Sequence, residues 1–437
     1  MRIFADLALV APGDLRSKMV VTVEGGRIVG LEEGTPEGSD SVVGFLMPGA
    51  CNGHSHAFHR GLRGRAIQGA DDFWRWREAM YRLAERLEPD AYLELATLVF
   101  REMRLAGFTS VGEFHYLHRG ANAQTYADRN AMGRALIEAA RQAQVRLGLV
   151  DVAYLHGGLG DAGYLPLQGV QRRFGDVDVE TYLDRVGELD DSAMVRIVRG
   201  AHSLRAVSLS ELAVIVEEVD GAPWHLHLME QAREVDAIVD YYGERPLRLL
   251  EDRGLIGPST TLVHLNQVIE SELACLVRTG AVTCACPSTE EDLGDGLSPA
   301  GRMLRAGARV SIGTDQHVHI DALLEASRID AHERLRTHQR SSVHTDALWS
   351  TLWAHDTIGF GEAGRIAPGA LADLVALDLS EPGIAGVDPV ELVRLGTRAA
   401  ITKVWVDGRE TTTDIDEERR ELGMQLRATL ARIEGKY

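Results

Sequence analysis

Lysine is almost missing from this sequence. Of its 46 basic residues only Lys18, Lys403 and Lys436 are lysines, and none lies between residues 19 and 402. That excludes a Walker A loop, whose lysine reaches the phosphates. It also excludes a Schiff-base lysine, or a metal pair bridged by a carbamylated lysine, anywhere in the body of the chain. Cysteine is equally sparse. Cys51, Cys275, Cys284 and Cys286 in 437 residues make no disulfide framework and read as reduced thiols, with Cys284 and Cys286 as core packing. No apolar run approaches the ~20 residues of a bilayer span, and the first one, MRIFADLALVAPGD, is interrupted by Asp6. No signal peptide is read there, and the expected location is the cytoplasm. Positive charge is short too: 65 acidic residues set a formal net charge of −19. Such a surface argues against nucleic acid as partner, because that binding rests on Lys and Arg neutralising phosphates. It argues equally against an anionic membrane. There is no G-x-S-x-G elbow, no internal repeat and no low-complexity tract. Gly158–Gly163 fits G-x-G-x-x-G, but Pro166 and Gly169 interrupt the helix that a dinucleotide fold needs next.

What remains is an ordinary globular composition, 45% apolar and 25% charged, able to bury a large core. Short strand patterns fill the first 48 residues and recur from about 370 to 410, so both chain ends are expected to pair into one small sheet. The final stretch has apolar residues at 422, 426, 430 and 433, the spacing of a surface helix. Between the ends lie eight apolar, β-branched runs: ACNGHSH, TSVGEFHY, RLGLVDVAY, VRIVRGAHS, PWHLHLME, TTLVHLN, AVTCACP and RVSIGTD. Helical patterns separate most of them. Strand–helix alternation predicts a parallel sheet. Eight units fit an α/β fold of the (β/α)8 TIM-type barrel, with an open doubly wound sheet as the alternative.

Most of these runs end in a residue able to bind metal or move protons. They offer His54 and His56, His115 and Tyr116, His202, then His225, His227 and Glu230, His264, and Asp315. In a barrel all strand C-termini open on one face, where active sites form. His54 and His56, two apart on a strand, point the same way and can share a cation. His227 and Asp315 can complete a set of three nitrogens and one oxygen, which suits Zn²⁺ and leaves room for a water. A metal lowers the pKa of such a water to about 7. Asp315 or Glu230 can then accept and deliver protons, and His264 can donate to the tetrahedral intermediate. The set describes metal-assisted hydrolysis at a trigonal carbon. Phe73, Trp74, Trp76 and Tyr81 read as a helix-packing cluster, and Arg77 among them reads on its own as a surface salt bridge.

With these motifs in hand, the chain resembles the amidohydrolase superfamily, and within it the formimidoylglutamate deiminases. PGACNGHSHAFHR is similar to the first-strand metal motif of the superfamily. FWRWREAMYR, GFTSVGEFHYLH, AHSLRAV, HLHLMEQAREV, VHLNQV and PSTEEDLGDG resemble segments of the deiminase branch. The resemblance implies a barrel over 49–368, and a small β-sandwich from 1–48 and 369–412, followed by a C-terminal helix over 413–437. It implies one Zn²⁺ on His54, His56, His227 and Asp315, although Fe²⁺ would suit the same ligands. Glu230, His264 and Asp315 take the catalytic roles, and His59, Arg77, Tyr116, His202 and Arg205 meet the substrate. Arg forks match carboxylates, and the implied partner is a small acidic substrate, N-formimidoyl-L-glutamate, hydrolysed to N-formyl-L-glutamate and ammonia in histidine degradation. A homodimer is implied as well. His59 stands where the family usually has Gln, and Gln316 where it usually has Ser. These changes leave room for another N-formimidoyl or amidine compound. An aminohydrolase of a heterocyclic base and a non-catalytic metal-dependent binding protein are the rival readings.

Overall fold

Four strands open the chain: β1 (Arg2–Ala11), β2 (Asp14–Glu24), β3 (Arg27–Glu33) and β4 (Ser41–Pro48). The next run of strands is β5 (Ala50–Ser55), β6 (Phe108–His115), β7 (Arg146–Ala153), a short hairpin of β8 (Gly158–Gly160) and β9 (Gly163–Leu165), β10 (Val195–Ser203), β11 (Trp224–Leu228), β12 (Thr260–His264), β13 (Val282–Ala285) and β14 (Arg309–Ile312). Three more close the list: β15 (Leu374–Leu377), β16 (Ile401–Val406) and β17 (Arg409–Glu410). This computed structural model describes residues 1–65, 72–340 and 342–435, and the side chains of 72–75 are not among those described. The expected packing of Phe73 and Trp74 therefore lies outside the described residues.

All eight sequence runs form strands of one parallel sheet, in the order β14-β13-β12-β11-β10-β7-β6-β5. Nearly every strand residue is buried, as a sheet covered on both faces requires. The two edge strands meet at the carboxyl end. Ser55 bridges Asp315 in parallel, Thr314 and Asp315 donate their backbone N–H to His54 O at 3.0 Å, and His56 N–H donates to Asp315 O at 3.1 Å. The seam of the barrel thus runs through the segments that carry the expected metal ligands. The opposite end is closed by the turn His355–Ile358. A Cβ on Gly112 or Gly148 would come within 2.7 Å of the Ile358 side chain, so only glycine admits this plug on β6 and β7.

The chain ends build a single seven-stranded sheet, β17-β16-β15-β4-β1-β2-β3, that folds round its own core. Its inner strands are apolar on both faces. On β15, Leu374 and Ala376 face that core, while Val375 and Leu377 join the core of the barrel. This alternation explains why ADLVALDL lacks polar positions. The C-terminal helix Ile415–Ile433 starts at Asp414, whose side chain accepts from the backbone of Asp416 and Glu417. It buries Leu422, Leu426 and Leu430. Glu418 on its outer turn pairs with Arg101 and Arg104 of the helix Pro89–Arg104. The glycines of 158–163 make the β8–β9 hairpin and no helix follows them directly. Among the described residues no helix is long and apolar enough to cross a membrane.

Candidate metal centre and active site

His54 and His56 stand at the open end of β5, both buried. His227 faces them from β11, across the barrel, and Asp315 follows β14. Their metal-binding atoms converge: His54 Nε2 lies 3.0 Å from His227 Nε2, and Asp315 Oδ1 lies 3.4 Å from His56 Nε2 and 3.7 Å from His54 Nε2. A tetrahedral Zn²⁺ site with bonds near 2.05 Å has ligand atoms about 3.3 Å apart, so these separations fit such an ion.

The outer ring nitrogens decide the tautomers. His56 Nδ1 is 2.9 Å from Phe114 O, and His227 Nδ1 is 3.0 Å from His202 O. A carbonyl only accepts, so both Nδ1 atoms carry the hydrogen, and both Nε2 atoms aim lone pairs into the centre. Burial drives the pKa of all three imidazoles below the ordinary histidine value, which keeps them neutral. Neutral nitrogens facing one another beside a carboxylate form a donor set suited to a divalent cation. His59, His264 and Asp315 extend the same cluster.

Proton-transfer groups flank the ligands. His264 Nε2 is 3.9 Å from both Glu230 Oε1 and Asp315 Oδ2, and its Nδ1 is 3.6 Å from Glu290 Oε1. These three carboxylates, Glu230 foremost, outweigh burial and push the imidazole up to about 10. Burial raises the Glu230 carboxyl above the usual range, against the pull of His264. Met229, His264, Leu265 and Asp315 hold φ of 54, 76, 56 and 42°. Left-handed conformations at four non-glycine residues cost energy, and such strain collects where strand ends are turned toward a site.

A cavity of about 640 Å³ opens above this centre. Except for His54, which lies behind the others, every site residue that the resemblance implied borders it. His59 Nε2 meets the Tyr116 hydroxyl at 3.0 Å, and the His202 ring lies 5.4 Å from that of Tyr116. Arg77 borders the cavity and gives its Nε–H to the Tyr81 hydroxyl at 2.7 Å. Among the described residues, the buried Nε of Arg205 has no hydrogen-bond partner, a donor left for an acceptor in the cavity. The acids Glu230 and Asp315 and the guanidinium groups of Arg77 and Arg205 border the same cavity.

Two histidines that end strands do not join the site. His115 packs against His118 on the outer face of β6, with rings 4.8 Å apart, beside Asp151. Arg185 donates to both carboxylate oxygens of Asp151 there, so that acid already has its cation. Strand alternation explains the miss, because Phe114 and Tyr116 take the inner face. His225 shares the inner face of β11 with His227 but sits two residues nearer the closed end, where its Nε2 meets Thr357 O at 2.8 Å. Trp76, Tyr154, His156 and Arg233 border the cavity as well, and sequence reasoning passed over them as site residues. Tyr154 closes the third strand run and Arg233 lies in HLMEQAREV, positions where the strand-end argument applies.

Comparison with known proteins shows the family and the fold. The amidohydrolase family profile matches residues 45–413. The chain is 34% identical to formimidoylglutamate deiminase of Pseudomonas aeruginosa, covering 94% of each chain. It is 28% identical to 8-oxoguanine deaminase of the same organism, covering 98% of this chain and 96% of that one. Among solved structures, an amidohydrolase from Brucella melitensis superposes with a TM-score of 0.91 at 30% identity over 99% of both chains.

Proposed function

The chain belongs to the amidohydrolase family, and from that membership we propose that it is a mononuclear zinc deiminase that hydrolyses N-formimidoyl-L-glutamate to N-formyl-L-glutamate and ammonia. Hydrolysis of C–N bonds follows from the family and from the deiminase relative. The narrower reading rests on one observation. The cavity that opens on the three histidines and Asp315 also exposes Arg77 and Arg205, so a single small molecule can meet the metal site and two guanidinium forks at once. A glutamate end supplies two carboxylates for those forks.

His54, His56, His227 and Asp315 would hold the cation, which supplies a polarised, readily deprotonated water at neutral pH. Asp315, with its second oxygen toward His264, takes the proton of the attacking water. Glu230 is near enough to His264 to share a proton network, and its raised pKa suits it to hand a proton to the departing nitrogen. His264, held protonated by the acids round it, donates to the formimidoyl group as charge builds there. In balance, one water adds to the formimidoyl carbon, the terminal C–N bond breaks, and one ammonia leaves with a formyl group left on glutamate. Tyr116, with His59 behind it, and His202 border the path between the two ends.

The rival reading, deamination of a heterocyclic base, draws on the aromatic walls formed by Trp76, Tyr154 and Phe174. A neutral base brings no carboxylate to Arg77 and Arg205, and that favours the acidic substrate. The test is ammonia release from N-formimidoyl-L-glutamate by zinc-loaded protein. Turnover that is lost in Asp315→Asn and Glu230→Gln supports the proposal. Turnover of a purine or triazine with none of the formimidoyl compound refutes it.

A further inference from the structure

His54 on β5, and His56 just past its end, stand where that strand's ladder breaks down. The β5–β6 register shifts between Asn52 and Ser55, so on the β6 side His54 and His56 lack a regular backbone ladder. A buried acid fills the gap. Glu113 of β6 is wholly inaccessible and lies opposite Ser55. Its carboxylate reaches both sides of His56: Oε2 accepts from Ser55 Oγ at 2.5 Å, and Oε1 accepts from the Ala57 backbone N–H at 2.6 Å. From the other flank, His56 N–H reaches Asp315 O at 3.1 Å, and His317 Nε2 lies 3.0 Å from His56 O.

We propose that Glu113 is a positioning residue for the metal centre, which sets His54 and His56 at the spacing a cation needs by clamping Ser55 and Ala57. It does not border the cavity, so it acts on the metal and not on substrate. The inference rests on the metal site proposed above. Its logic is that of outer partners in metal sites, which fix ligands they never replace. A carboxyl group suits the task because one rigid, planar group meets Ser55 Oγ at one oxygen and the Ala57 N–H at the other. Glutamine keeps a carbonyl for one donor, and its amide nitrogen accepts nothing from the Ser55 hydroxyl.

The experiment strips the full-length protein with a chelator and measures Zn²⁺ affinity by competition with a chromophoric chelator. The visible spectrum of the Co²⁺-loaded protein and the urea stability of the apoprotein are recorded alongside. Ser55→Ala and Glu113→Gln are expected to weaken Zn²⁺ binding about 10-fold, and Glu113→Ala up to about 100-fold. The Co²⁺ bands should shift in each, while apoprotein stability changes too little to account for the loss. Wild-type affinity and an unchanged Co²⁺ spectrum in folded Ser55→Ala and Glu113→Gln would overturn the proposal. So would lower apoprotein stability with unaltered affinity, the mark of a purely structural acid. Those two variants decide the matter if Glu113→Ala does not fold. A wild-type protein that takes up no cation overturns the metal reading itself, a result distinct from any of these.

Discussion

His54 and His227 point their Nε2 atoms at each other across the barrel, 3.0 Å apart, although 172 residues of sequence separate them. His227 gives its only ring hydrogen to the His202 carbonyl, so a lone pair faces His54. The strands that carry them, β5 and β11, are four places apart round the eight-stranded sheet, which makes them diametric. The two side chains therefore meet only because the barrel closes, and its seam hydrogen bonds fall on His54, His56 and Asp315. Closing the fold and assembling the site are one event.

Removal of the metal should lower stability. A cation that binds only the folded chain adds about 4 kcal/mol when its free concentration is a thousand times Kd. Chelator-treated protein is expected to melt at a lower temperature in calorimetry and to regain its transition with added Zn²⁺. An unchanged transition would contradict the account.

Loss of the Glu230 proton should slow turnover without spoiling binding. Glu230→Gln keeps the shape and cannot relay a proton, so kcat is expected to fall by about 10²–10⁴ with KM little altered. Steady-state kinetics by ammonia detection provides the check.

The arginines should act on recognition. Arg77→Ala and Arg205→Ala are each expected to raise KM for the acidic substrate. Charged hydrogen bonds contribute about 1.5–3 kcal/mol, or roughly 10- to 150-fold. Arg205→Lys should recover only part of the loss, because an ammonium cannot reproduce the two-pronged contact. An unchanged KM in both alanine variants would favour a heterocyclic substrate.

Stability should depend on pH through a buried acid outside the proposed ligand set. Glu325 accepts from the Ser288 backbone N–H at 3.0 Å and from the Ser288 hydroxyl, yet burial outweighs these bonds and raises its pKa to about 8. An ordinary glutamate titrates near 4.3. Between about 4.3 and about 8 the folded chain keeps a proton that the unfolded chain has released, so this group makes stability fall as pH rises, by at most ~1.4 kcal/mol per unit. Below that window it contributes no slope. Urea unfolding at about pH 5 and about pH 8 should therefore show a smaller pH difference for Glu325→Gln than for the wild type. The same difference in both would contradict the assignment.

How far the sequence reached can be traced to physical causes. The eight barrel strands were legible because both faces of a parallel sheet are buried, which leaves dense β-branched runs that turn residues interrupt. His54 and His56 were legible because a two-residue repeat on a strand keeps one face. The same reasoning failed for His115, where a one-residue offset puts the ring on the outer wall. It failed for His225, which has the right face at the wrong depth. Arg77 is a harder case. It lies on the helix Asp72–Arg86, ahead of the second strand, and nothing local tells a cavity-facing arginine from a solvated one. Only the resemblance pointed to it. Neither the Ile358 plug nor the Glu113 clamp left a local signal, since each depends on contacts between segments far apart in the chain.

The central claim is that four side chains gather round one divalent cation. Elemental analysis of protein dialysed after zinc loading tests it most directly. The account predicts one equivalent of zinc in the wild type and little in His227→Ala or Asp315→Asn, with all three folded. Zinc that stays at one equivalent in both variants, or a wild type that holds none, would contradict it.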